Sequence, residues 1–424
     1  MSNWKVKTGL FLAGQTISLF GSSLVQYAIL WHLTLEMRSG MVMTAYILAG
    51  FIPSLFLSPF AGVWADRYDR KKLIVLADGF IALVSLVATL FLARGFESLA
   101  LYLTVAAFRS FGSAVHQPAV GAFLPGIVPP ESLMRVNGIN GSLQSALMLV
   151  SPMAAGALLV LLDIHLIFLV DVLTALVAIA ILVFFVRHTQ ERAGANADGT
   201  DAAESGGEAL APAGYLKDIR DGIRYIREHR YLISFFAYMG AIFFLVSPAA
   251  FLTTVQTART FGGEVWRLTA IEIVFSVGML AGGALIASWG GFTNRIKTIV
   301  LGNAGMAVCT VGLALSPFVA GSLNFAVYLA FMGIFGIALP LLNTPSTVLL
   351  QEQVDSAYLG RTFGVFSMIS SSLMPVAMLV FGPLADVVAI EWILLVCGIL
   401  MLGLAISVRA NRRLIEAGRR VSAV

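Results

Sequence analysis

Apolar residues run along this chain in blocks of roughly 20, the length a helix needs to cross a bilayer core about 30 Å thick. Short polar stretches separate the blocks. Twelve of them begin near Thr8, Met41, Leu73, Leu99, Val136 and Ile164, then near Tyr231, Leu268, Ile296, Leu323, Thr362 and Trp392, and each predicts a membrane-spanning helix. One polar stretch stands apart. Residues 189–214, TQERAGANADGTDAAESGGEALAPAG, are rich in Ala, Gly and acids with almost no large apolar residue, which predicts a flexible linker. In YLKDIRDGIRYIREHR (215–230), Leu216, Ile219, Ile223 and Ile226 share one helical face among charges. That pattern predicts an amphipathic helix lying on the membrane surface. The expectation is an all-α integral membrane protein of twelve transmembrane helices in two pseudo-symmetric halves. The six-helix halves would occupy 1–188 and 231–410, joined by the linker and surface helix and followed by a tail at 411–424.

Composition agrees with this pattern. The chain is 58% hydrophobic and 12% charged, against about 45–50% and 25% for a soluble domain. Its charge is placed unevenly. With the amino terminus in the cytoplasm, the inner loops and tails hold 22 of the 27 Lys and Arg. The outer loops hold only Arg38, Arg94, Arg259 and Arg267, and Arg109 alone falls inside a span. Basic residues collect on the cytoplasmic side of membrane proteins, so both termini are expected there, in a multi-pass cell-membrane protein. The basic balance is therefore a topology signal and excludes a nucleic-acid partner. The start, MSNWKVK, leads into a run too long for a signal peptide, so no cleaved leader is expected. Cys309 and Cys397 sit in separate apolar runs and the five histidines lie in no ligand spacing, so neither a disulfide framework nor a metal centre is expected. No GxxxxGK[ST] loop and no nucleophile-and-base set exists, which argues against an ATP-driven pump or an enzyme and implies no cofactor.

Weak internal similarity recurs at a spacing near 226 residues. RVNG (135–138) corresponds to RTFG (361–364), HQPA (116–119) to NTPS (343–346), and Phe111-Gly112 to Phe335-Gly336. Prolines interrupting matching spans of two halves are a feature of transporters built from repeats. GVWADRYDRKKL (62–73) packs six charges into the turn expected between spans two and three. Its pattern, Gly62, Asp66, Arg67, Arg70 and Lys71, resembles the signature loop of the major facilitator superfamily. The resemblance implies that Gly62 allows close helix approach and that Asp66 latches the inner gate against the start of span eleven, near Arg361. Arg67, Arg70 and Lys71 would hold the loop at the anionic inner leaflet and pair with nearby acids. For Arg70, Lys71 and Lys72, fixing topology is an equal reading. The second half, GGALIASWGGFTNRIK (282–297), lacks the aspartate, so the latch is expected once.

NWKVKTGLFLAGQTISLFGSSLVQYAILWHLT, FRSFGSAVHQPA, NGINGSLQSALMLVSP and DIRDGIRYIREHR narrow the resemblance to the macrolide-efflux branch of proton-coupled drug exporters. The resemblance implies export of a small lipophilic substrate against protons by a monomer in contact with membrane lipid. A siderophore or other small-molecule exporter or importer on the same fold is the alternative, and a non-transporting sensor or scaffold a third reading.

Gln15, Ser18, Ser22 and Gln26 form a polar stripe on span one. Polar groups facing lipid go unpaired, so the stripe faces either neighbouring helices or a water-filled cavity. The family's span one lines the central cavity, which makes these residues and Arg109 substrate-cavity candidates. Arg109 lies near the midplane of span four, where insertion costs roughly 2.5–3.5 kcal/mol. It is either a proton-coupling group, as its position in the family's span-four motif implies, or half of an ion pair with an acid on another span. Asp171 and Glu272 are the other proton-coupling candidates. Thr269 and Glu272 also have capping-box spacing. Phe235, Phe236, Tyr238, Phe243 and Phe244 are either pocket lining or packing.

Overall fold

The computed structural model describes residues 4–186, 212–319, 321, 323–408 and 411–418. The regular elements among them are all helical. They are α1 (Trp4–Met37), α2 (Gly40–Arg67), α3 (Arg70–Ala93), α4 (Leu99–Phe123), α5 (Leu133–Leu161), α6 (Ile164–Ala180), α7 (Pro212–Glu228), α8 (Arg230–Phe251), α9 (Thr253–Thr260), α10 (Val265–Trp289), α11 (Arg295–Leu315), α12 (Leu323–Gln353), α13 (Ser356–Val387), α14 (Ile390–Ser407) and α15 (Arg412–Ala417), with short 3₁₀ and π turns between some of them. The long helices fall on the predicted apolar blocks. Among the described residues, eleven are long and apolar enough to cross a membrane. Helix α4 is not among them, because Arg109 and His116 lie within it. Continuous helix satisfies each backbone donor and acceptor inside its own segment, which a bilayer demands. The apolar side chains therefore turn outward. Leu83, Leu86 and Leu90 on α3, Leu173 and Leu176 on α6, and Val396 and Ile399 on α14 are exposed, whereas Asp78, Ser85, Arg109 and Asp171 are buried.

Two compact units result. The first takes the chain up to residue 26, then 49–151, and the chain from 161 through α6; the second takes 27–48, 152–160 and everything from 217 on. The α1–α2 hairpin and the end of α5 thus group with the carboxyl-terminal helices. In the first unit Phe11, Ile74, Phe123 and Leu182 centre a core, with the Phe11 and Phe123 rings 4.9 Å apart. Helix α4 lies so near α3 that a Cβ on Gly112 would overlap Ile81. In the second unit, α10 and α12 meet backbone to backbone. A Cβ on Gly278, Gly282 or Gly336 would overlap the main chain of Gly333, Ile337 or Phe275 respectively.

Most of the expected linker lies outside the described residues. The amphipathic helix is present as α7, where Arg224, Arg227 and Glu228 are exposed and Tyr225 and Ile226 are buried; the side chains of Leu216 and Ile219 lie outside the described residues. Its apolar face meets protein where the sequence suggested lipid. Tyr225 donates to Asp355 Oδ2 at 3.2 Å and stacks on Tyr358 at 4.5 Å, and Gly222 backs onto the Arg361 main chain.

Candidate functional site

The first unit holds two tiers of buried polar groups. Arg109, the eleventh residue of α4, forms an ion pair with Asp171 Oδ2 of α6 and bonds Ser85 Oγ of α3. It also donates to the Ser22 carbonyl of α1 at 3.1 Å. Asp171 accepts further from Ser85 at 2.6 Å and Ser22 at 3.1 Å, and is fully buried. The ion pair with an acid on another span, one of the two readings of Arg109, is present. The second tier sits two helical turns away, since Asp78 precedes Ser85 and His116 follows Arg109 by seven residues each. Ser18 donates to Asp78 Oδ1 at 3.1 Å, and His116 Nε2 stands 3.3 Å from the same oxygen. Distance makes that contact an ion pair on protonation, although its angle is not that of a hydrogen bond. The span-one stripe thus spends Ser18 and Ser22 on carboxylates of neighbouring helices. Gln15 is buried with its Oε1 unsatisfied, and Gln26 is exposed.

The signature stretch is largely helical where the sequence suggested a turn. Helix α2 carries Gly62 and runs through Arg67, α3 begins at Arg70, and only Tyr68 and Asp69 separate them. Among the described residues nothing lies within 4 Å of the Gly62 Cβ position. Asp66 belongs to the last turn of α2; its side chain lies outside the described residues. Asp69, which the pattern did not single out, caps α3 by accepting from the Lys71 and Lys72 amides at 2.9 and 3.3 Å. The cations complete helix ends. Arg70 donates to the carbonyls of Ala65 and Ala122 at 3.2 and 2.9 Å, at the ends of α2 and α4. Lys71 donates to those of Val183 and Val186 at 3.2 and 2.8 Å, around the π turn that ends α6. Carbonyls at helix C-termini carry partial negative charge, so Arg70 and Lys71 are bound to backbone in place of the expected acids. Arg67 is exposed.

The second unit contains a cavity of about 520 Å³, within the size range of small-molecule sites. Phe243, Phe275, Phe335 and Phe366 wall it together with Met306, Met332 and Met374, and Glu272 is the only ionisable lining residue. Helix α10 starts at Val265, four residues before Thr269, so Glu272 is two turns inside the helix and is not a cap. No hydrogen bond or ion pair reaches its carboxylate among the described residues. Of the aromatic run on α8, Phe243 lines the cavity. Phe235 and Phe236 pack on Phe366 at 6.2 and 6.0 Å, Tyr238 accepts from Asn303 at 3.0 Å, and Phe244 packs on Phe381 at 5.2 Å.

At one end of the same unit Asp386 of α13 caps α2. It accepts from the Gly40 and Met41 amides at 2.8 and 3.0 Å, from Ser39 Oγ at 2.7 Å and from Arg259 at 2.6 Å. Arg259 also donates to the Arg38 carbonyl at 2.7 Å, and Thr44 to that of Met378 at 2.9 Å. No local pattern announces contacts between residues so distant in sequence. Losing such a cap costs about 1 kcal/mol, or roughly fivefold in an opening equilibrium. Asp386→Ala is therefore expected to speed maleimide labelling of a cysteine placed at Ser39 several-fold over the same cysteine beside an intact Asp386. Both native cysteines are buried, so background labelling is low.

Residues 10–378 match the model of the Major Facilitator Superfamily. The chain is 30% identical to macrolide efflux protein A of Streptococcus pyogenes over 406 residues, 96% of each chain. It is 29% identical to the protein of that name from Enterococcus faecalis, over 81% of this chain and the whole of the other. The crystal structure of the nucleoside transporter NupG superposes with a TM-score of 0.69 at 13% identity, covering 97% of this chain and all of NupG; at that identity the likeness concerns the fold. Helices without strands, buried charge inside apolar shells and a family match over most of the length lead to one assignment: the chain is a multi-pass membrane transporter of the Major Facilitator Superfamily.

Proposed function

We propose that this protein exports lipophilic, macrolide-like compounds from the cell in exchange for protons. Its twelve long helices span the cell membrane with both termini in the cytoplasm, as the placement of Lys and Arg favours. The observation that carries the reading is the aromatic and methionine cavity with a single unpaired carboxylate. A buried carboxylate without a counter-charge is costly, and it is relieved either by a proton or by a cationic ligand. Aromatic faces beside it favour a cation further. Glu272 would bind a proton in one state and the protonated amine of a lipophilic cargo in the other, which makes occupancy by the two exclusive. Asp66, by its place in the family's signature loop, would latch the cytoplasmic side during the cycle. The names of the full-length relatives support a macrolide as cargo. A siderophore is less well matched, because an anionic ligand finds no Lys, Arg or His among the lining residues. The proton gradient supplies the energy, and a monomer suffices.

The test is accumulation of a labelled amine-bearing macrolide in energised bacteria lacking their own pumps. Cells carrying the protein should accumulate less, and a protonophore should restore the level. Unchanged accumulation with the protein verified in the membrane would reject the macrolide.

A further inference from the structure

We infer that Asp78 and His116 form a proton-binding site in the first unit, separate from the Arg109–Asp171 pair and from Glu272. The inference rests on the proposed proton-coupled export. Its starting point is a charge balance. Among the described residues, the buried Asp, Glu, Lys, Arg and His side chains of this unit are Asp78, Arg109, His116 and Asp171. Arg109 and Asp171 neutralise each other in direct contact, and Ser22 and Ser85 saturate the carboxylate. Asp78 has only the Ser18 hydroxyl and the imidazole beside it. With His116 neutral, the interior therefore carries one uncompensated negative charge, and one bound proton removes it.

The unsatisfied atoms point the same way. Asp78 Oδ2, Gln15 Oε1 and His116 Nε2 are buried without a hydrogen-bond partner, and the two oxygens are acceptors. What the tier lacks is hydrogen. A proton on His116 Nε2 turns the 3.3 Å contact into an imidazolium–carboxylate pair. Imidazole, unlike the amide and hydroxyl beside it, can take up that proton and carry its charge.

Among the described residues, no neighbouring group supplies that charge in its place. Helix α1 faces the pair with Gln15 and Ser18, and its ionisable residues in this unit are Lys5 and Lys7, two or more turns away. On α3 the next cations are Lys72, six residues earlier and exposed, and Lys71, which is bonded to the carbonyls of Val183 and Val186. On α4 it is Arg109, bound to Asp171. Helix α6 brings Asp171 itself. Helix α2 packs on α4 through Ser54 and Ser110 and brings Asp66 and Arg67 only in its last turn. Gly112, whose close approach presses α4 onto α3 at Ile81, lies between the two tiers and keeps their partners in register.

Proteoliposomes holding a labelled amine-bearing macrolide separate coupling from folding. Exchange of labelled for unlabelled cargo without a pH gradient reports movement of the transporter; uptake driven by an imposed gradient reports proton coupling. Asp78→Asn and His116→Gln should keep exchange near the wild-type rate, lose gradient-driven accumulation, and alter the pH profile of transport. Two results would overturn the assignment. One is gradient-driven uptake with an unaltered pH profile in both variants. The other is parallel loss of exchange and uptake in both, which would mark the pair as a structural strut. If the wild type exchanges cargo but never responds to a gradient, the coupling part of the functional reading fails with it. A coupled wild type with indifferent variants removes this site alone.

Discussion

Glu272→Gln is expected to abolish gradient-driven export of a cationic macrolide while the protein reaches the membrane at its normal level. The amide keeps the shape of the side chain and removes only the charge. A hydrogen bond to a charged group is worth about 1.5–3 kcal/mol, so affinity for the cationic cargo should fall roughly ten- to hundredfold. A neutral analogue of the same size should bind as before, because the Phe and Met walls are untouched. Equilibrium binding of the two compounds to purified protein, with and without the substitution, measures the difference. Equal loss for both, or no loss for the cation, would remove Glu272 from cargo recognition.

The second large effect concerns stability. Arg109→Met leaves Asp171 buried with its counter-ion gone, and breaking a buried pair in this way costs about 3–5 kcal/mol. The single variant should be lost from the membrane or melt well below the wild type in detergent. Arg109→Met with Asp171→Leu removes both charges at once, and such replacements are often neutral or stabilising. The double variant should recover most of the lost thermal stability, read by size-exclusion chromatography after heating. A double variant as unstable as the single one would show that the arginine acts through Ser22 and Ser85 and not through the charge of Asp171.

Much of the fold was legible because bilayer thickness imposes a length on every apolar run. The same constraint made Arg109 conspicuous, since a midplane cation requires an explanation. Its partner was not legible. Asp171 is one of several acids within spans, and only the packing of α4 and α6 on the same helix, α3, selects it. His116 lies seven residues after Arg109, visibly on one face, yet nothing local ties it to Asp78. The signature stretch was recognised from residue types, but its side chains were assigned to acids and lipid when Arg70 and Lys71 finish helices α2, α4 and α6. A helix end leaves carbonyls to be satisfied, and which helices end together is tertiary information. Asp386 and Arg259 were illegible for the same reason. The cavity was half visible: an aromatic run marked α8, but its remaining walls come from α10, α11, α12 and α13.

The glycine seam between α10 and α12 has a pharmacological consequence. With their main chains in contact at Gly278, Gly282 and Gly336, these helices cannot move closer together around a smaller guest or slide without clash. Adjustment to different cargoes must come from rotation of Met306, Met332 and Met374, whose unbranched thioethers adapt to many outlines. A cavity with fixed walls, compliant lining and one anchored negative charge sorts compounds by their charge and hardly by their contour. Under the proposed export function, the resistance spectrum would cross ring sizes and scaffolds readily, and would break where a drug loses its basic nitrogen.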